Sequence, residues 1–245
     1  MLSWIGSLGA ISAEALAVRL DVSVASARSR LADAHRRGLL QSSRPLTQAP
    51  TLYSLTAAGA RAGRLGGGVC QVRHTNAPHL LACAAVAAAL ERCYPGFRAV
   101  GEMELRRGER TGDTDMSAPL AALYAGRSGR HRPDLVLLRH ASSETAAVGL
   151  GSGGREPRAP ELPVAVEVEL TVKASARLRA ICRAWERCRT VAGVIYLVAP
   201  AVEPALLRAV SATEARRIAV VPLASLPLAA IAGLGGAPRT VPSAD

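Results

Sequence analysis

The sequence predicts an α/β protein in two parts, and three observations carry that prediction. Residues 12–55 run as two short capped helical segments followed by two strand-like segments. Residues 79–223 alternate helix-like and strand-like segments in the order αβββαβ with a further αβ pair, which implies a mixed sheet with helices packed on it. Between them, Ala62–Val69 holds glycine at 63, 66, 67 and 68 and reads as a linker or tight loop. The expected domains are therefore 1–65 and 77–245, and no internal repeat is visible.

In the first part, Ser12 is placed to cap a helix whose apolar residues are Ala15, Leu16, Val18 and Leu20. After the turn Asp21–Ser23, Ser23 caps a second helix, Val24–Arg37, with Val24, Ala27, Leu31 and Ala34 at helical spacing and Gly38 at its end. Leu39–Ser42 and Thr51–Leu55 follow as strands, joined through Arg44, Pro45, Gln48 and Pro50. Helix, turn, helix and hairpin is the order of a winged helix-turn-helix, whose second helix enters the major groove of DNA. Ser26, Arg28, Ser29 and Arg30 on that helix, with Arg36, Arg37 and Arg44, are the candidate contacts to phosphates and base edges. A small helical dimerisation module is the other reading of the same pattern.

Composition bounds the partners. The chain of 245 residues is 49% hydrophobic, enough for a core, but only 3% aromatic with a single Phe, which disfavours base-stacking sheets that bind single strands. Thirty basic residues face 19 acids, a net charge of +11, which favours a polyanion. Residues 1–76 carry nine Arg against three acids, so the basic charge is concentrated there. Twenty-nine of the 30 basic residues are Arg, as a high-GC coding bias would produce, so the charge alone is discounted; Lys173, the only lysine, stands out against that bias.

In the second part, His79–Cys93 reads as an apolar helix and Arg98–Arg106 as a strand. A loop rich in Gly, Arg and Asp leads to the strand Pro133–Leu138, and the Gly/Ser/Pro-rich residues 141–160 form an insertion before the strand Pro163–Val172. Then come the helix Ala174–Arg189, the strand Val194–Ala199, a helix around Pro204–Val210 and the strand Arg217–Leu223. Period-two alternation along Val164–Lys173 puts Glu167, Glu169, Thr171 and Lys173 on one face, with Asp134 at the start of the preceding strand able to join them. Asp134, Glu167 and Glu169 are candidate ligands for Mg²⁺ or Mn²⁺, and with Lys173 they are the candidate catalytic residues for phosphodiester chemistry. The alternative is a sheet face whose charges are simply solvated. On the helix that follows, Arg179, Arg183 and Arg187 lie apart from Leu178, Ile181, Cys182, Trp185 and Cys188, as a phosphate-facing stripe or an ordinary solvated face.

Pro133-Asp134 followed by Glu167-Val168-Glu169 on the second and third strands of an αβββαβ core resembles the PD-(D/E)XK nuclease-like superfamily. The whole chain resembles the replication-relaxation family of actinobacterial mobile elements over residues 12 to about 210. The matching pieces are Leu55-Thr56-Ala57-Ala58-Gly59, His79, Gly101-Glu102-Met103-Glu104 on the first strand, His131-Arg132-Pro133-Asp134 and Val166-Glu167-Val168-Glu169. The resemblance implies duplex DNA binding in plasmid or integrative-element replication, transfer or their control, with metal-dependent DNA nicking as a further activity. It also makes other mobile-element transfer or replication proteins and a second copy of the chain candidate partners. Glu169 occupies the position where that superfamily usually carries its lysine, and Lys173 lies four residues further on. The rival readings are a transcriptional regulator with an inactive nuclease-like domain and a protein-interaction module without nucleic acid.

Cys70, Cys83, Cys93, Cys182 and Cys188 lack the paired spacing of a structural zinc site and are expected to be reduced, buried and apolar in role, which fits the cytoplasm. His79 is expected as a partly buried helix residue. No secretory signal is read at the N-terminus. Residues 218–238 are uncharged, but Pro222, Pro227, Gly233, Gly235 and Gly236 interrupt them, so a strand and a short docked helix are expected there in preference to a membrane span.

Overall fold

A computed structural model describes residues 1–66, 68–112, 116–120, 129–140 and 162–226. The chain is mixed α/β and divides into two compact units, Met1–Ala89 and Leu90–Leu223.

The first unit opens with α1 (Leu2–Leu8) and β1 (Ala10–Ile11), continues through α2 (Ala13–Leu20), α3 (Val24–Arg36), β2 (Leu40–Ser43), β3 (Leu52–Leu55) and α4 (Ala57–Ala62), and enters α5 (Ala77–Cys93), inside which the boundary falls. The caps act as the sequence predicts: Ser12 Oγ accepts the Ala15 N–H at 3.2 Å and Ser23 Oγ accepts the Ser26 N–H at 3.1 Å. Gly38, at φ +70°, turns the chain out of α3 into β2. The three strands form an antiparallel sheet in the order β1-β3-β2. α1 and β1, which sequence reading passed over, bury Trp4, Ile5, Leu8, Ala10 and Ile11, and β1 gives β3 a second neighbour. Ala10 and Leu52 pack with Ala77 and Leu81 of α5.

In the second unit β4 (Phe97–Gly101), α6 (Glu102–Thr111), β5 (Ala118–Pro119), β6 (Arg130–His131), β7 (Leu135–Arg139), β8 (Val164–Glu169), α7 (Ser175–Arg187), β9 (Gly193–Val198), α8 (Glu203–Thr213) and β10 (Ile218–Pro222) follow in order. The five-stranded sheet runs β10-β9-β8-β7-β4, so β8 is central. It is antiparallel from β4 to β8 and parallel from β8 to β10. Ala165 on β8 packs with Ile181, Ala184 and Trp185 of α7 and Leu206 of α8, so these helices cover the face from which Glu167 and Glu169 also project.

Two expected elements are corrected. The expected strand Arg98–Arg106 ends at Gly101, and Glu102-Met103-Glu104 begins α6 instead. Two acids in the first turn suit the helix dipole, and Glu102 pairs with Arg106 one turn on at 2.6 Å. The expected strand Pro163–Val172 stops at Glu169, leaving Thr171 and Lys173 beyond it. The insertion at 141–160 and the helix expected after β10 lie outside the described residues. No helix among the described residues is long and apolar enough to cross a membrane.

Candidate functional site

The first candidate surface is the outer side of α3. Ala27, Leu31 and Ala34 are buried, whereas Arg28, Ser29, Arg30, Arg36 and Arg37 are exposed and Ser26 is half-buried. Arg44 is exposed in the connection between β2 and β3. Arg28 lies 3.8 Å from Glu14, and Arg36 and Arg37 reach Asp33 at 3.2 and 3.8 Å. Such exposed pairs are weak and exchange readily for a phosphate.

The Leu55–Gly59 segment joins this unit together. Thr56 caps α4 by accepting the Gly59 N–H at 3.0 Å, and its hydroxyl donates to the Gly38 carbonyl at 2.6 Å. A Cβ on Gly59 would sit 2.0 Å from the Leu39 carbonyl oxygen, so glycine alone fits this close approach of α4 to the start of β2.

The second candidate site lies on β8. Glu167 and Glu169 are 4% and 6% exposed, which rules out the solvated-face alternative: both carboxylates are inside the protein and each has a partner. Glu167 Oε1 lies 2.8 Å from His131 Nε2 and accepts the Trp185 indole N–H at 3.2 Å. Glu169 pairs with the Lys173 ammonium through Oε2. Asp134, one residue before β7, accepts the Val168 N–H at 2.8 Å, between the two glutamates in sequence.

Burial pushes the Glu167 carboxyl up, the nearby Asp134 carboxylate pushes it further, and the His131 and Lys173 cations pull it back. His131 is also raised, because Glu167 outweighs the burial that alone would lower it. Each therefore acts on the ionisation of the other. Lys173 is lowered by burial, with Glu167 and Asp134 acting against that and Arg177 with it. Tyr196, facing Glu167 across β9, is held well above the ordinary tyrosine value by burial and by the glutamate charge.

All four sequence-predicted residues, Asp134, Glu167, Glu169 and Lys173, thus belong to one electrostatic neighbourhood. The route to it differs from strand alternation: Lys173 reaches Glu169 from the chain beyond the strand end. His131 and Trp185 were missed as site residues. His131 sits in a two-residue strand that has no readable period, and Trp185 fits the buried stripe of α7 equally well as ordinary core. Arg183 and Arg187 on α7 are exposed, whereas Arg179 is half-buried and donates to Ser175 Oγ.

Arg132 anchors the adjoining segment by a forked pair to Glu109 of α6, with Nε 3.0 Å from Oε2, and by a 3.5 Å contact to Glu102. Of the cysteines, Cys83, Cys182 and Cys188 are buried, and all five are thiols, not disulfides. Burial raises the Cys182 thiol to about 11, the value of an inert core residue. Cys93 is exposed, contrary to expectation, because α5 ends there and leaves its last turn at the surface. His79 is half-buried and contacts Cys83 at 3.4 Å along the same helix.

No family model matches the chain, and neither a curated protein nor a solved structure does.

Proposed function

We propose that this protein is a duplex-DNA-binding factor, with a winged helix-turn-helix in its first unit and a PD-(D/E)XK-like domain in its second, serving plasmid or integrative-element replication, transfer or their control as the resemblance to replication-relaxation proteins implies. One observation carries the DNA reading. α3 follows a short turn from α2, buries Ala27, Leu31 and Ala34, and exposes Arg28, Ser29 and Arg30 at its N-terminal half, with the β2–β3 hairpin and Arg44 following. That is the arrangement in which a recognition helix meets base edges while a hairpin meets the backbone. Fluorescence anisotropy on duplexes at two salt concentrations tests it. Arg30→Ala should cost about 1–3 kcal/mol of binding and relax specificity if the side chain meets a base, or weaken all sequences alike and flatten the salt slope if it meets a phosphate. Unchanged binding in both Arg28→Ala and Arg30→Ala rejects α3 as the recognition helix.

A second reading, metal-dependent DNA nicking, is favoured by the buried Glu167 and Glu169 beside Asp134 and Lys173. The residue types are those of a hard-cation site, but the oxygens of Asp134, Glu167 and Glu169 do not all come within reach of one shared ion. Lys173 contributes a compact cation to the same neighbourhood, and burial of the glutamates excludes bulk water. A plasmid nicking assay on wild type and Glu167→Gln separates this reading from a DNA-binding regulator with an inactive domain.

A further inference from the structure

Among the candidate DNA contacts of the first unit, Arg28 differs in where its acid partner comes from. Arg36 and Arg37 pair with Asp33, a neighbour on α3 itself whose side chain is 54% exposed. Arg28 is met from another element: Glu14, in the first turn of α2, brings Oε1 to 3.8 Å from its guanidinium. The Glu14 side chain is 20% exposed against 62% for Arg28, and its second oxygen, Oε2, is buried with no hydrogen-bond partner among the described residues. An oxygen withdrawn from water and left unbonded is destabilising, and a loose pair to an exposed arginine offsets little of that cost. Stability is therefore a poor reason for a glutamate at this position. An exposed Asp33 can swing aside when a phosphate arrives, whereas Glu14, held by its partial burial, keeps its charge beside Arg28.

Resting on the duplex-DNA reading above, we propose that Glu14 is a positioning residue that commits Arg28 to reading a guanine in the major groove instead of binding a phosphate. The two targets differ in charge. A phosphate oxygen drawn to Arg28 also approaches the Glu14 carboxylate, and the like charges repel. A guanine edge presents O6 and N7 as uncharged acceptors and meets no such repulsion. Glu14 thus lowers affinity for the backbone and leaves the base contact in place, which raises specificity as a difference of affinities. The same carboxylate narrows the directions open to the flexible arginine stem, so less freedom is lost when its fork meets the base. Arg30, exposed two residues further along α3, has no acid partner among the described residues and is free to take a phosphate.

The test uses the full chain, with a thermal melt on every variant. Fluorescence anisotropy on a mixed-sequence duplex over a range of salt gives the slope, and selection from a duplex library with a randomised centre gives the base preference. Glu14→Gln keeps the shape and removes the charge. It should bind the mixed-sequence duplex about 2–5-fold more tightly, steepen the log–log salt slope by about 0.9 as one phosphate contact is added, and weaken the guanine preference of the selected pool. Glu14→Asp keeps the charge and should hold the wild-type slope. Arg28→Ala should lose a guanine discrimination of about 5–150-fold without flattening the slope. Should Glu14→Gln not fold, Arg28→Ala decides: lost guanine preference at a constant slope supports the proposal, and a flattened slope with an unchanged pool overturns it. If wild type binds no duplex, the DNA reading falls and this proposal falls with it. If wild type binds duplex and Glu14→Gln matches it in both slope and selected sequences, the DNA reading stands and the positioning role of Glu14 is overturned.

Discussion

The Asp134 carboxylate accepts the backbone N–H of Val168 at 2.8 Å, and in doing so it extends the sheet. Backbone pairing between β7 and β8 covers only Val164–Val166, although β8 runs on to Glu169. The side chain supplies to the last part of β8 a hydrogen bond that β7 no longer gives. Asp134→Ala should therefore destabilise the fold by about 1–3 kcal/mol, the cost of leaving the buried Val168 N–H without its acceptor, whereas Asp134→Asn keeps an acceptor and should cost less. Denaturant midpoints of the two variants check this.

Gly59 illustrates a different constraint, imposed by backbone and not by chemistry. A methyl group there meets the Leu39 carbonyl at 2.0 Å, and neither α4 nor the start of β2 can move without disturbing the Thr56 cap. Gly59→Ala should cost about 1–3 kcal/mol by overpacking. At Gly63 the nearest atom is the flexible Leu65 Cδ1 at 3.2 Å, so Gly63→Ala should be tolerated much better. Thermal melts of both variants make the comparison, and equal effects would mean that α4 shifts freely.

The elements that could be read in the sequence are those with a cap and a period. Ser12, Ser23 and Gly38 bracket α2 and α3, and alternating Val and Glu mark β8. α6 was misread because Val100-Gly101-Glu102-Met103-Glu104-Leu105 also suits a strand by alternation, and only the acids in its first turn and the Glu102–Arg106 pair favour the helix. β5 and β6 are two residues each, too short for any pattern. The same limit hid His131: its pairing with Glu167 is made across 36 positions of sequence by the course of the chain, and no spacing rule reports it. The two glutamates could be read as a pair on one face, but α7 covering that face depends on where the helix lands after Lys173.

Acid stability should depend on the Arg132–Glu109 pair. Burial alone would raise the Glu109 carboxyl, but hydrogen bonds from Arg132 and Ser117 and the Arg132 charge outweigh it and hold the group below the ordinary 4.5. A carboxyl depressed in the folded state binds fewer protons there than in the unfolded chain. Its stabilisation is therefore complete above about pH 4.5 and is lost as pH falls through the folded value. Glu109→Gln should be less stable than wild type at pH 7 and approach it at pH 3, measured by urea midpoints. A constant difference between the two pH values would show that Glu109 acts through packing and not through charge.

Lys173 is the only lysine in a chain of 29 arginines, and its ammonium reaches Glu169 while Asp134 and Glu167 lie close enough to act on its ionisation. A lysine here is a compact point charge on a flexible stem; an arginine would bring a planar fork with fixed donor directions and more bulk. Two roles follow from the same position. Lys173 neutralises a buried carboxylate, and in the nicking reading its cation would also serve the phosphodiester. Lys173→Met removes both roles. Because Glu169 is buried and Lys173 is partly exposed, its stability cost should fall between that of a surface pair, about 1 kcal/mol, and that of a buried one, about 3 kcal/mol. Lys173→Arg restores the charge, so its melt should lie near wild type, but the changed geometry should impair nicking where Met abolishes it. A plasmid assay with melts alongside separates the roles. If Met loses stability and still nicks, Lys173 serves only to hold Glu169; if Arg is impaired in nicking with an unchanged melt, the point charge itself belongs to the chemistry.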